Sequence, residues 1–90
     1  MNQGQPDPLD VAVLAADERR AAEITDAFAR ESGDGVATLL IELVDLGAER
    51  ALAVVAVLGR NLAATLVADY GRDEALAILE RTRLDAAIAE

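Results

Sequence analysis

Apolar residues recur along most of the chain at steps of three and four residues, the spacing that places side chains on one face of an α-helix. No segment alternates apolar and polar residues over the length of a strand, and the β-branched residues occupy helical positions. The pattern predicts an all-α protein, a small bundle of about four helices. We expect one helical domain over residues 7–90, after a mobile polar tail at residues 1–6.

The first predicted helix starts at Asp7 and Pro8, whose residue types suit an N-cap and a first helical turn. Its pattern extends to about Glu31, and its apolar stripe contains Val13, Leu14, Ala21, Ile24 and Phe28. Asp17 projects into the middle of that stripe. Two interpretations follow: Asp17 caps a second helix after a short one at residues 9–16, or it is a partly buried acid in a continuous helix.

The turn at residues 32–35 separates this segment from a second helix, predicted at residues 36–46 and capped by Asp34. One face of this helix is predicted to contain Val36, Leu39, Leu40, Leu43 and Val44, with Thr38, Glu42 and Asp45 opposite. A third helix is predicted at Ala48–Tyr70, with glycines on either side as stop signals. Its main apolar face consists of Leu52, Val55, Leu58, Leu62, Leu66 and Tyr70, and Val54, Val57 and Val67 lie off that face. Because apolar residues surround nearly the whole third helix, we expect it to be the central and largely buried element.

A fourth helix is predicted from Asp73, as its N-cap, toward Ile88. Its large aliphatic residues spread over two sides of the helix: Leu76, Leu79, Leu84 and Ile88. A helix that is apolar on two sides needs two neighbours, and a chain of 90 residues has few helices to supply the second. The pattern therefore predicts a homodimer formed through the third and fourth helices.

Arg60 and Asn61 interrupt the most apolar helix midway. They leave two apolar halves that are each too short to span a membrane, so the sequence predicts no membrane span. The functional interpretation makes this pair a partner-binding site, completed by Tyr70, Leu84 and Ile88. The structural alternatives are an Arg60 that reaches along an alanine-lined surface to water, or one that pairs with an internal acid such as Asp17.

Composition narrows the chemistry further. Cysteine and histidine are absent, and all 8 basic residues are arginine. Disulfides, thiolate nucleophiles, imidazole catalysis and lysine Schiff bases are therefore excluded. We expect no enzymatic activity, no cofactor and no metal. The alanine- and arginine-rich composition favours a high-GC bacterium or one of its phages as the source, and the polar N-terminus favours a cytoplasmic location.

The charge balance is acidic, with 17 acidic residues and a net charge of −9. The main hypothesis is a protein–protein interaction or regulatory module, and the alternative is an acidic nucleic-acid mimic that blocks a DNA-binding protein. Arginines interspersed among the acids, as at residues 18–20, favour the first hypothesis. Direct nucleic-acid binding conflicts with the sign of the charge and with the scarcity of aromatic residues.

Overall fold

The structure, a computed structural model, describes residues 12–89. The predicted tail at residues 1–6 and the predicted helix start at Asp7 and Pro8 lie outside the described residues. Within them the chain forms four helices and no strand, which confirms the all-α prediction. The helices are α1 (Ala15–Ala29), α2 (Gly33–Asp45), α3 (Ala48–Tyr70) and α4 (Arg72–Ala89).

Asp17 determines where α1 begins. Leu14 has an extended backbone, and its N–H donates to the Asp17 carboxylate at 2.9 Å. Asp17 therefore closes the first turn from three residues inside the helix, as the acidic residue of a capping box does. A continuous helix and a short helix at residues 9–16 are both wrong over residues 12–14, which are not helical.

The turn between α1 and α2 uses a different cap from the predicted one. Glu31 has a positive φ of 55°, and the N–H of Ser32 reaches back to the carbonyl of Ala27, the pattern of a Schellman motif. The Ser32 hydroxyl then accepts the N–H of Gly35 at 3.1 Å, so α2 begins at Gly33. Asp34, the predicted N-cap, lies in the first turn instead.

The boundaries of α3 agree with the prediction. Gly47 before it and Gly71 after it both have positive φ values, 93° and 81°, which a residue with a side chain rarely adopts. The fourth helix begins at Arg72, one residue earlier than predicted, so Asp73 lies in its first turn and is not the N-cap.

The chain divides into two compact units, Met1–Gly59 and Arg60–Glu90. The core of the first unit joins Ala21 and Ile24 of α1 to Val54 and Val57 of α3. The partly buried side chains that pack against this core are Val13, Leu39, Leu43 and Leu58. In the second unit, Ala75 is the one buried residue of α4 over the part that the structure describes. The single domain over residues 7–90 stays a prediction.

The expectation of a central, largely buried third helix is wrong. Among the 23 residues of α3, the buried ones are Ala53, Val54 and Val57. The leucine-rich stripe predicted as its core face lies on the other side of the helix and is mostly exposed. The reason is that the core cluster with α1 forms on the side of α3 that contains Val54 and Val57.

Candidate functional site

The side of α3 opposite its buried residues contains large apolar side chains that are exposed. Leu52 is 62% exposed and Val55 54%, although both belong to the stripe predicted as core. Farther along the helix, in the second unit, Leu62 is 57% exposed. Large apolar side chains in helical register and open to water are typical of a surface that another molecule covers.

Gly59 lies in the same helical register, between Val55 and Leu62. A Cβ atom at this position would meet no heavy atom within 4 Å. Glycine in a helix interior costs about 1 kcal/mol relative to alanine, so the helix itself gains nothing from it. With Ala63 four residues later, Gly59 provides a small-residue surface against which a second helix can pack closely.

By length and composition, α3 is the one helix among the described residues that is suited to crossing a membrane. Its most apolar 18-residue stretch has a mean hydropathy of 1.9, and 17% of that stretch is buried. The same apolarity therefore allows two kinds of cover, lipid or protein. Arg60 and Asn61 lie in the middle of this stretch and are exposed.

The five residues predicted to bind a partner all lie at exposed positions of α3 and α4. Arg60 and Asn61 are consecutive, so about 100° of helix rotation separates their side chains, and they do not form one stripe. Tyr70 is the last residue of α3 and is more than half exposed. Leu84 and Ile88 are one turn apart on α4 and do share a stripe, with Ile88 at 84% exposure.

Asp17 forms the main electrostatic feature of the first unit. Its side chain is fully buried, and Arg50, at the start of α3, donates to its Oδ2. Arg20 Nη1 lies 3.8 Å from Oδ1, the buried side-chain atom without a hydrogen bond in the described chain. Arg50 also donates to the carbonyl of Ala12 at 3.3 Å. This cluster ties the segment before α1 and the first turn of α1 to α3.

A buried Asp17 was one of the two interpretations of the sequence, with Arg60 named as one possible partner of an internal acid. In the structure Asp17 is buried and pairs with Arg50 and Arg20 instead. The sequence analysis did not single out Arg50, because the leucine stripe was predicted to be the core face of α3 and Arg50 lies on the opposite side. The signal was present: Arg50 stands three, four and seven residues before Ala53, Val54 and Val57, in the register that the structure buries.

The outward side of α2 is also apolar. Ile41 is 63% exposed and Val44 76% exposed, and Leu40 and Ala37 lie beside them in helical register. At the N-terminal end of this side, an open groove of about 500 Å³ is lined by Phe28, Val36, Ala37 and Leu40, with Glu31 at its edge. The predicted inner face of α2 is correct for Val36, Leu39 and Leu43, which are partly buried, but not for Leu40 and Val44.

Most of the charged residues that line the grooves between α1 and α2 already have partners. Arg19 lies 3.7 Å from Glu23, and Arg30 donates to Asp26 at 2.9 Å. Within residues 12–89, no group of three or more acidic residues is arranged so that it could hold a metal ion. Large exposed apolar side chains, by contrast, lie on α2, α3 and α4.

Comparison with known proteins finds no relative for this chain: no protein family, no curated protein and no solved structure matches it.

Proposed function

We propose that the protein is a small acidic interaction module that regulates or recruits other proteins and self-associates as a homodimer through α3 and α4. One observation carries the proposal, namely the exposure of large apolar side chains on α3, with Leu52 and Val55 in the first unit and Leu62 in the second. A face of this kind costs free energy while it is open to water, and a second helix packed on it recovers that cost.

A protein partner suits α3 better than lipid. The first half of α3 already has one side in a core with α1, where Arg50 pairs with the buried Asp17. A second charged residue, Arg60, lies in the middle of the helix, where insertion into a bilayer costs about 2.5–3.5 kcal/mol.

The nucleic-acid mimic is the weaker alternative. A mimic needs carboxylates arrayed at phosphate-like spacing on one surface. On α1 and α4 the acids alternate with arginines, and the pairs Arg19–Glu23, Arg30–Asp26 and Arg83–Glu80 reduce the field that a basic groove would recognise.

Sedimentation velocity of the full chain at micromolar concentration tests the proposal. We expect a dimer of the 9.4 kDa chain. Leu62→Glu places a charge on the exposed face, and Gly59→Leu fills the small-residue surface, so both variants should sediment as monomers with unchanged helix content. The matched control is Ile41→Glu on α2, which adds the same charge at a similarly exposed position and should remain dimeric.

A wild-type chain that sediments as a 9.4 kDa monomer throughout would overturn self-association. A wild-type chain that floats with phosphatidylcholine vesicles, while Leu62→Glu does not, would assign the face to lipid and overturn the proposal as well. If Ile41→Glu dissociated the dimer and the two α3 variants did not, the dimer interface would lie on α2 and not on α3.

A further inference from the structure

We propose that the outer α2 face, defined as Ala37, Leu40, Ile41 and Val44, docks a basic amphipathic helix of another protein. The inference rests on the proposed role as an interaction module, but not on the homodimer, which uses other helices. Two observations carry it: the apolar shape of this face, and the sign of the charges along its border.

The shape is that of two adjacent stripes along one side of α2. Ala37, Leu40 and Val44 follow one another at steps of three and four residues, and Ile41 lies on the neighbouring stripe between Asp34 and Asp45. The groove beside Phe28 extends the apolar surface past the start of the helix. A 13-residue helix is about 20 Å long, so the face matches a partner helix of about four turns.

The charges along this border are all negative. Asp34 and Asp45 lie next to Ile41 in helical register, Glu31 lines the groove, and α2 contains no basic residue. Within the described part of the chain, none of these three carboxylates has an arginine at ion-pair distance. On α1, by contrast, Asp17, Glu23 and Asp26 each have one.

These unpaired acids select the occupant. A second copy of the same face would bring carboxylates against carboxylates, which is repulsive, whereas lysines or arginines along the edge of a partner helix would complete the missing ion pairs. The apolar stripe provides most of the affinity, and the acidic border chooses among amphipathic helices by their charge.

A synthetic peptide is the probe that tests this. It is a helix of about 14 residues with leucines at steps of three and four residues and lysines along one edge. The comparison peptide has glutamates in place of the lysines and the same leucines. Fluorescence anisotropy of each labelled peptide is measured against the full chain at low and at high salt. We expect the lysine peptide to bind, more weakly in salt, and the glutamate peptide not to bind.

Variants assign the binding to the face. Val44→Ser should weaken the binding of the lysine peptide about tenfold. It removes an apolar contact with the peptide and leaves the core unchanged, because Val44 is exposed. The double variant Asp34→Asn/Asp45→Asn should weaken the binding of the lysine peptide about fivefold and make that binding less dependent on salt. The matched control is Glu42→Gln, which removes the same charge from the side that faces Arg19 and Arg20, and it should change binding less than about twofold.

Equal binding of the two peptides, no binding of either, or unchanged binding by Val44→Ser would each overturn the proposal. If Val44→Ser instead dissociates the dimer in sedimentation, a second copy covers the face and the basic partner is wrong. These outcomes are separate from those at α3, because Leu62→Glu and Gly59→Leu report on self-association and leave the outer α2 face unchanged.

Discussion

The two sides of α3, in the half that belongs to the first unit, are both apolar and have opposite surroundings. Ala53, Val54 and Val57 are buried in the core with α1, whereas Leu52 and Val55 are more than half exposed. The larger leucine lies outside and the smaller side chains lie inside. Burial within the protomer therefore does not follow the size of the apolar side chain.

The difference separates two roles within one helix. The buried side stabilises the protomer, and it also contains Arg50, the partner of the one buried acid among the described residues. The exposed side contributes little to the protomer and is available for association, with Gly59 open to solvent in its middle. The predictions that follow test this separation, from the largest expected effect to the smallest.

Removing the arginine of the buried side should have the largest effect. Arg50→Ala leaves the Asp17 carboxylate buried without its hydrogen-bonded cation, and should lower the free energy of unfolding by about 3 kcal/mol. The double variant Asp17→Leu/Arg50→Met should lose less than the sum of the single variants, because it removes both charges together. Urea denaturation followed by circular dichroism, at one fixed protein concentration, measures each value.

The matched control for Arg50 is Arg30→Ala, which breaks the exposed pair with Asp26 and should cost less than about 0.5 kcal/mol. Strictly additive losses at Asp17 and Arg50 would contradict the coupling and would reduce the cluster to two independent contacts.

The neighbouring valines compare the two sides of α3 directly. Val54→Ala removes two methyl groups from a fully buried position and should cost about 2 kcal/mol of unfolding free energy. Val55→Ala makes the same chemical change on the exposed side, where it should cost less than about 0.5 kcal/mol but weaken the dimer in sedimentation. Equal losses of stability would mean that the two sides do not differ in the protomer.

The sequence predicted the existence, number and class of the helices well, because three- and four-residue spacing and the glycines at 47 and 71 are local signals. It did not predict which side of α3 is buried. Val54 and Val57 were predicted to lie off the main face, but they pack in the core cluster with Ala21 and Ile24 of α1. Helix periodicity reports that a face is apolar, whereas the side that packs depends on the shape of a distant segment.

The candidate surfaces divide in the same way. Leu84 and Ile88 could be proposed as partner-binding residues from the sequence, because a helix that is apolar on two sides needs a second neighbour. The outer α2 face could not, because Leu40 and Val44 were assigned with Leu39 and Leu43 to a single inward face. Only the packing of α1 on α2 shows that this broad apolar surface is split between an inner and an outer side.

Gly59→Ala tests whether the exposed side of α3 is free of constraint in the protomer. Alanine should raise the unfolding free energy by about 1 kcal/mol at dilutions where the dimer is dissociated, since the helix gains propensity and the new Cβ meets no atom. At concentrations that favour the dimer, the gain should shrink, because the methyl group enters the interface. A loss of stability at high dilution would show that Gly59 is in contact within the protomer.

The exposed pair on α4 provides the opposite limit to the buried pair of Asp17 and Arg50. Arg83 donates to Glu80 through Nε at 3.1 Å and through Nη2 at 2.5 Å, and this lowers the pKa of Glu80 below its ordinary value. Because the folded-state pKa is lowered, the small contribution of the pair is present above the unfolded-state pKa of glutamate. It is lost as the pH falls through the folded-state pKa of Glu80.

An NMR titration that follows the carboxyl carbon of Glu80 measures the pKa of this group directly. Arg83→Ala should raise the pKa of Glu80 toward its ordinary value, while Arg72→Ala, which removes an arginine from the same helix, should leave it unchanged. The accompanying change in unfolding free energy should be far smaller than for Arg50→Ala, because water screens both groups of the α4 pair. An unmoved Glu80 titration in Arg83→Ala would mean that the two side chains do not pair in solution. If instead the stability losses at Arg83 and Arg50 were similar, burial would not be what distinguishes the two pairs.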